Sequence, residues 1–347
     1  MGSGRVDCYG LRWNQTVQPT TELHISDCTS MYGEIMAKES YPIGKPFVVF
    51  GEDTKWIKVT VDGVTYKDHP VLGVIQCSVL CPRDLKRPML ALKYNDQTYF
   101  CSCPLCNKRK RKGACVHSDK ERYFFTTCCT NELCYSIKRG YKLGDIFEAI
   151  CYYESAPIFS AYQKILLAGK CQYSPVPTDV EANTYCHLIN QSLNLAENVQ
   201  LDPRSLQCNP GLRTLHKLLS NILVGKLAQN NDDCKTVYVL SQEELEHLYF
   251  SSTQILEDVH CYNGICQATV RSKKKTINRS CNTILAAFTL AYGRIKLDKQ
   301  ATRLEKLGAL CHFVDTDSVC FHLPKTISIQ YNESFVPGNW HSELAPG

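Results

Sequence analysis

Near the end of the chain, thirteen residues read Cys-His-Phe-Val-Asp-Thr-Asp-Ser-Val-Cys-Phe-His-Leu, from Cys311 to Leu323. Strand-forming residues flank a polar turn, so the segment predicts a β-hairpin with two carboxylates at its tip, Asp315 and Asp317. A third acid, Asp27, stands 288 positions before Asp315, where the alternation of Leu23 and Ile25 with polar neighbours predicts the end of a half-buried strand. Acids delivered from separate strands are what a two-metal centre needs. Magnesium prefers carboxylate oxygens, and a metal pair stabilises the attacking and leaving oxygens of an in-line displacement at phosphorus. Taken singly each motif has a plainer use, because Asp and Ser satisfy their own backbone in turns and cap helices.

Opposite charge comes from a helix. Asn209 is an N-cap and Pro210 a first helical residue, where the missing N–H costs nothing, and the pattern continues to about Gln229. Leu215, Leu219, Ile222 and Leu223 form an apolar stripe, while Arg213, Lys217 and Asn221 follow at spacings of four on another face. Two cations and an amide projecting together suit a triphosphate, since phosphoryl transfer relies on positioning and charge neutralisation.

The 347 residues are 44% hydrophobic, enough for one large core or two modest ones. No apolar run approaches a membrane span; Ile284 to Ala291 stops well short, so no membrane partner is expected. Twenty-one cysteines, odd in number and without a signal peptide, fit a reducing compartment better than a disulfide scaffold. The net charge of +5 is clumped at Lys108 to Lys112 and Arg271 to Lys275. Such runs suit phosphate backbones, with solvated loops as the rival reading for both and a nuclear localisation signal as a further one for Lys108 to Lys112.

Punctuation and periodicity divide the chain into stretches. Residues 1–46 hold the Asp27 strand and a helix from Met31 to Lys38. Residues 47–173 are rich in Val, Ile, Tyr and Thr and read as an inserted, mostly β subdomain, broken by a helix around Glu132 to Arg139. Residues 174–230 are helical, 231–281 form a second insertion or loop region, and 282–347 open on a helix from Asn282 to about Leu297 before the hairpin. Within the β-rich stretch, Cys103, Cys106, Cys115 and His117 fall at paired spacing. Soft thiolates with an imidazole fit tetrahedral zinc, which would staple a loop with little core of its own; Cys101 is an alternative ligand, and free buried thiols are the other reading.

In their order along the chain, Asp27 to Tyr32 (DCTSMY), the Arg213 to Gly225 helix (RTLHKLLSNILVG) and Phe313 to Val319 (FVDTDSV) resemble the three polymerase motifs of family B DNA polymerases. The likeness is closest to the protein-primed branch found in Polinton (Maverick) elements and related viruses. YPIGKP, CVHSDKER and NTILAAFTLAYGRIKL between the motifs are similar to the same branch. The resemblance implies an α+β fold: an antiparallel palm sheet from residues 1–46 and 282–347, helical fingers from 174–230, and the inserted β subdomain. It implies that Asp27 and Asp317 bind two magnesium ions with Asp315 auxiliary. Tyr32 would lie under the sugar and exclude ribonucleotides, Arg213 and Lys217 would contact the incoming dNTP, and Asn221 would sit near the nascent base pair.

Three positions depart from the family pattern. Gly33 replaces a proline, and Ile222 and Val224 remove a hydroxyl and an aromatic ring near the base pair. Ser3 to Asp7 resembles the segment that joins exonuclease to polymerase, and GNWHSELAPG the stretch just after the palm, so a fragment without exonuclease and thumb is expected. The resemblance implies template-directed DNA synthesis on a DNA template and primer, with a terminal protein as a further partner, in the nucleus or at a site of viral replication. A decayed nucleic-acid-binding remnant and a module that docks a protein primer are the competing readings.

Overall fold

The structure, a computed structural model, describes residues 5–9, 20–95, 97–110, 113–229, 234–262, 265–273 and 281–344. Outside them lie Ser3 and Gly4 of the Ser3–Asp7 segment, Arg111 and Lys112 of the first basic run, Lys274 and Lys275 of the second, and the last three residues. The described strand pairs are antiparallel, and the fold is α+β. Among the described residues, no helix is long and apolar enough to cross a membrane. The chain divides into two compact units, Met1–Leu223 with Ile284–Gly347, and Val224–Thr283.

The larger unit is organised on a five-stranded sheet whose middle holds the acids. Leu310–Asp315 and Ser318–Pro324 form the hairpin, with Thr316 in the left-handed region at φ 54° to close so tight a turn. Ser318–Pro324 pairs with Thr21–Cys28, placing Ser318 opposite Asp27. Trp340–Ser342 covers the other edge of Thr21–Cys28, placing His341 opposite Asp27 from that side. Val6–Cys8 flanks the hairpin, with Val6 opposite Asp315. Val314, Val319, Phe321 and Leu323 turn inward onto Leu297, Ala301 and Leu304 of the long helix Thr283–Lys306. Each large side chain so buried contributes about 1.5–3 kcal/mol, which pins the strand register that places the acids.

That helix runs nine residues past Leu297 because its polar second half is buried too. Asp298, at 2% exposure, takes Arg87 Nε at 3.1 Å and the Tyr135 hydroxyl at 2.8 Å. One turn earlier, Arg294 grips Glu132 through two bonds of 2.6 and 2.8 Å. Arg87, Glu132 and Tyr135 belong to the β-rich stretch. Its six-stranded sheet runs Phe47–Phe50, Lys142–Tyr152, His69–Leu80, Val64–Tyr66 and Ile57–Val59, with Phe124–Cys129 also paired to His69–Leu80. Ile75, Cys77, Val79, Leu90 and Leu133 fill its core. The 47–173 stretch ends in a helix, Ser160–Gln172, that packs on Met31–Lys38.

Close backbone approach fixes the helices around the Asp27 strand. A Cβ on Gly33 would meet Ser220 Oγ at 2.6 Å, and one on Gly169 would meet the His216 ring at 2.3 Å. The Pro210–Ala228 helix therefore lies against Met31–Lys38 and Ser160–Gln172 through its polar face, locked by Ser220 Oγ donating to Gln163 Oε1 at 2.7 Å. Its apolar stripe points the other way: Leu215, Leu219 and Ile222 are exposed. The close fit at Gly33 and Gly169 decides the helix rotation, and the leucines follow.

The smaller unit is a three-stranded antiparallel sheet with Ile265–Ser272 between Lys235–Val239 and Gln254–Tyr262, plus the helix Gln242–Tyr249. These elements fall within the 231–281 stretch. A disulfide joins the directly opposed Cys261 and Cys266.

Candidate active site

Strand pairing brings Asp27 and Asp317 together although 290 positions separate them. The Cys28 N–H donates to the Asp317 carbonyl at 3.0 Å, and the Asp317 N–H donates to the Asp315 carbonyl at 2.6 Å, so the turn is tied to the neighbouring strand. The Thr316 N–H adds a bond of 2.8 Å to the Arg5 carbonyl. Both acids are half-buried and line a cavity of about 530 Å³; Asp315 is exposed and outside its lining.

The cavity has an acidic end and a cationic wall. At the acidic end, burial and then the charge of Asp317 push the Asp27 carboxyl up to about 6, with His341 opposing at 3.7 Å. Burial, with Asp315 and Glu343 nearby, likewise raises Asp317. Negative charge is thus concentrated in a partly desolvated place, an arrangement that favours a bound cation. On the wall stand Arg213 and Lys217 from the Pro210–Ala228 helix. Arg213 Nε is held by Ser174 Oγ at 3.1 Å, and the Asn209 side chain caps the helix by accepting from the Leu212 N–H at 3.1 Å. Tyr32 and Asn221 complete the anticipated lining. Burial, and then Asp317, pushes the Tyr32 phenol up to about 12, and Gly293 leaves space beside its ring, where a Cβ would sit 3.0 Å away.

Lining residues that escaped the sequence reading include Lys170, His341 and Glu343. Lys170 projects from the Ser160–Gln172 helix and donates to Ser30 Oγ. Burial lowers its pKa, and Arg213 and Lys217 push in the same direction. A lone lysine directly after the apolar run Ile165 to Gly169 was the available signal. His341 and Glu343 carry none in sequence; only the pairing of Trp340–Ser342 with the Asp27 strand brings them in.

The cysteine-histidine set also comes together, away from the cavity lining. The ligand atoms of Cys103, Cys106, Cys115 and His117 all lie within 4.8 Å of one another. Burial would raise the Cys115 thiol, yet bonds from the His117 backbone and ring, then from Cys106 and Cys103, bring it down to about 6. Cys101 is not part of the cluster.

Residues 7–193 match the family model described as DNA polymerase type B, organellar and viral. No curated protein sequence matches the chain. Among solved structures, the fold is similar to Phi29 DNA polymerase complexed with primer-template DNA and incoming nucleotide substrates, with a TM-score of 0.53 and 15% identity over 97% of this chain and 45% of that one. The orthorhombic crystal form of Phi29 DNA polymerase gives 0.52 and 16% over 97% and 45%. Its complex with single-stranded DNA gives 0.51 and 15% over 98% and 44%. At such identities the likeness establishes a common fold, and the chain spans less than half the length of those polymerases.

Proposed function

The chain belongs to the organellar and viral type B DNA polymerases, and from that membership we propose that it extends a DNA primer on a DNA template by nucleotidyl transfer from dNTPs. The observation that carries this reading is the cavity in which Asp27 and Asp317 face Lys170, Arg213 and Lys217. Half-buried acids whose pKa is raised by burial and by neighbouring carboxylates fit divalent cations with oxygen ligands, so Asp27 and Asp317 would hold magnesium, with Asp315 auxiliary. When bound, the metal supplies charge neutralisation at the phosphates and makes the primer hydroxyl more acidic.

The residues of the chain do the rest. Arg213, Lys217 and Lys170 draw the triphosphate against the helix wall, aligning its α-phosphorus with the primer 3′-oxygen. As the new oxygen–phosphorus bond forms, the bond to pyrophosphate breaks, and the same cations hold the charge that develops on the leaving group. Tyr32 would lie beneath the sugar and reject a 2′-hydroxyl, and Asn221 would border the base pair. In the metal-free protein the Asp27 carboxyl takes up a proton below about pH 6, so protons and cations compete for it and cation binding should weaken as pH falls.

Priming by a terminal protein in a mobile element or virus, in the nucleus or at a viral replication site, extends the proposal; support comes from the YPIGKP, CVHSDKER and NTILAAFTLAYGRIKL likenesses. Primer extension in magnesium with the complementary dNTP tests the reaction. Wild type is expected to add nucleotides, and Asp317→Asn to bind primer–template yet add none. Binding without extension by both proteins would instead identify a nucleic-acid-binding remnant.

A further inference from the structure

The loop that carries Cys103, Cys106, Cys115 and His117 has no part in the reaction above, yet its geometry is specific. Cys103 is the N-cap of the short helix Pro104–Lys108, and Cys106 lies on its first turn. The chain then returns so that His117 Nδ1 stands 3.5 Å from Cys103 Sγ, 3.4 Å from Cys106 Sγ and 3.5 Å from Cys115 Sγ. Hydrogen bonding does not account for this. A single ring nitrogen offers one proton or one lone pair, enough for one good partner and not for three at equal range. A central cation does account for it. With Zn–S of about 2.3 Å and Zn–N of about 2.0–2.1 Å, a tetrahedron places nitrogen and sulfur about 3.6 Å apart along each edge.

We propose that Cys103, Cys106, Cys115 and His117 bind one zinc ion as a closed, four-ligand structural site. Four protein ligands leave no open position for water or substrate, which separates this site from catalytic zinc. The need for an ion follows from how little else holds the loop. Of the described residues between Cys101 and His117, the buried ones are Cys103, Pro104 and His117, so no apolar core forms there. Two arginines anchor the ends: Arg83 donates to the His117 carbonyl at 2.7 Å, and the buried Arg122 donates to the Ser102 carbonyl at 3.1 Å. Between these anchors the ion closes the loop and holds the exposed Lys108, Arg109 and Lys110 on a fixed turn.

Cobalt(II) titration of the full chain under reducing conditions, followed by zinc competition, tests this. One equivalent of tetrahedral, thiolate-ligated cobalt is expected from its visible bands, displaced by one equivalent of zinc. Cys115→Ser and Cys106→Ser should bind at least about a hundredfold more weakly. His117→Cys should keep a tetrahedral site of four sulfurs, which shows that ligation and not general misfolding sets the loss, and Cys101→Ser should match wild type. No cobalt binding by the wild type, octahedral spectra, or undiminished binding by Cys115→Ser would overturn the assignment. Asp317→Asn should retain full zinc, so failure of the polymerase reading and failure of the zinc site give different results.

Discussion

The acidic cavity and the cysteine-histidine loop are built in opposite ways. The cavity collects Asp27, Lys170, Arg213, Lys217, Asp317 and His341 from strands and helices spread over the chain, and it exists only when neighbouring strands of one sheet and three helices are in register. The loop draws its four ligands from fifteen consecutive positions, and two arginines dock it. A dispersed site inherits the stability of the whole fold; a local one needs an ion in place of a core. Damage to distant packing should therefore disable the first and spare the second.

The largest expected effect lies at the dispersed site itself. Asp27→Asn should cut primer extension by at least about a thousandfold while leaving zinc content at the wild-type level. The same substitution should stabilise the metal-free protein. Between its ordinary value of 3.8 and about 6, folded Asp27 keeps a proton that the unfolded chain has lost, so folding stability falls as pH rises through that window and the cost is complete above it. Removing the charge should recover on the order of 1 kcal/mol at pH 8, read by urea denaturation in chelator. An Asp27→Asn protein no more stable than wild type would break the link between charge crowding and metal binding.

Breaking a distant tie comes next. Arg294→Ala leaves Glu132 buried without its partner and should cost about 3–5 kcal/mol of stability, measured by denaturant titration. Extension should fall with the folded fraction, while cobalt still titrates to one equivalent at low temperature. Loss of cobalt binding in parallel with extension would show that the two sites are not separable. Smallest is Lys170→Ala, expected to lower extension about tenfold through a weaker KM for dNTP, with cobalt binding and stability unchanged; an unaltered KM would remove Lys170 from the cationic wall.

What the sequence disclosed follows the same division. Cys103, Cys106, Cys115 and His117 were legible from spacing because their site is local. Asp27, Asp315 and Asp317 were legible as strand-end and turn acids, and the helix Met31–Lys38 appeared at the bounds expected from its pattern. Roles for those acids came from a family resemblance, since spacing alone cannot say which strands pair. Where long-range packing decides, local pattern failed. The Thr283–Lys306 helix outran its apolar segment because Arg87 and Tyr135 neutralise and bond Asp298 from another part of the chain. The leucine stripe of Pro210–Ala228 faces outward because Gly33 and Gly169 admit the opposite face. His341 reached the cavity through an edge strand of three residues, too short to leave a periodic trace.

The most direct measurement is single-nucleotide incorporation on a primed template in magnesium, run side by side on wild type, Cys115→Ser and Asp317→Asn at equal folded concentration. Wild type and Cys115→Ser are expected to add the templated nucleotide, with Asp317→Asn slower by at least about a thousandfold. Equal incorporation by wild type and Asp317→Asn, or none by wild type bound to primer–template, would contradict the assignment of Asp27 and Asp317 as the centre of DNA synthesis.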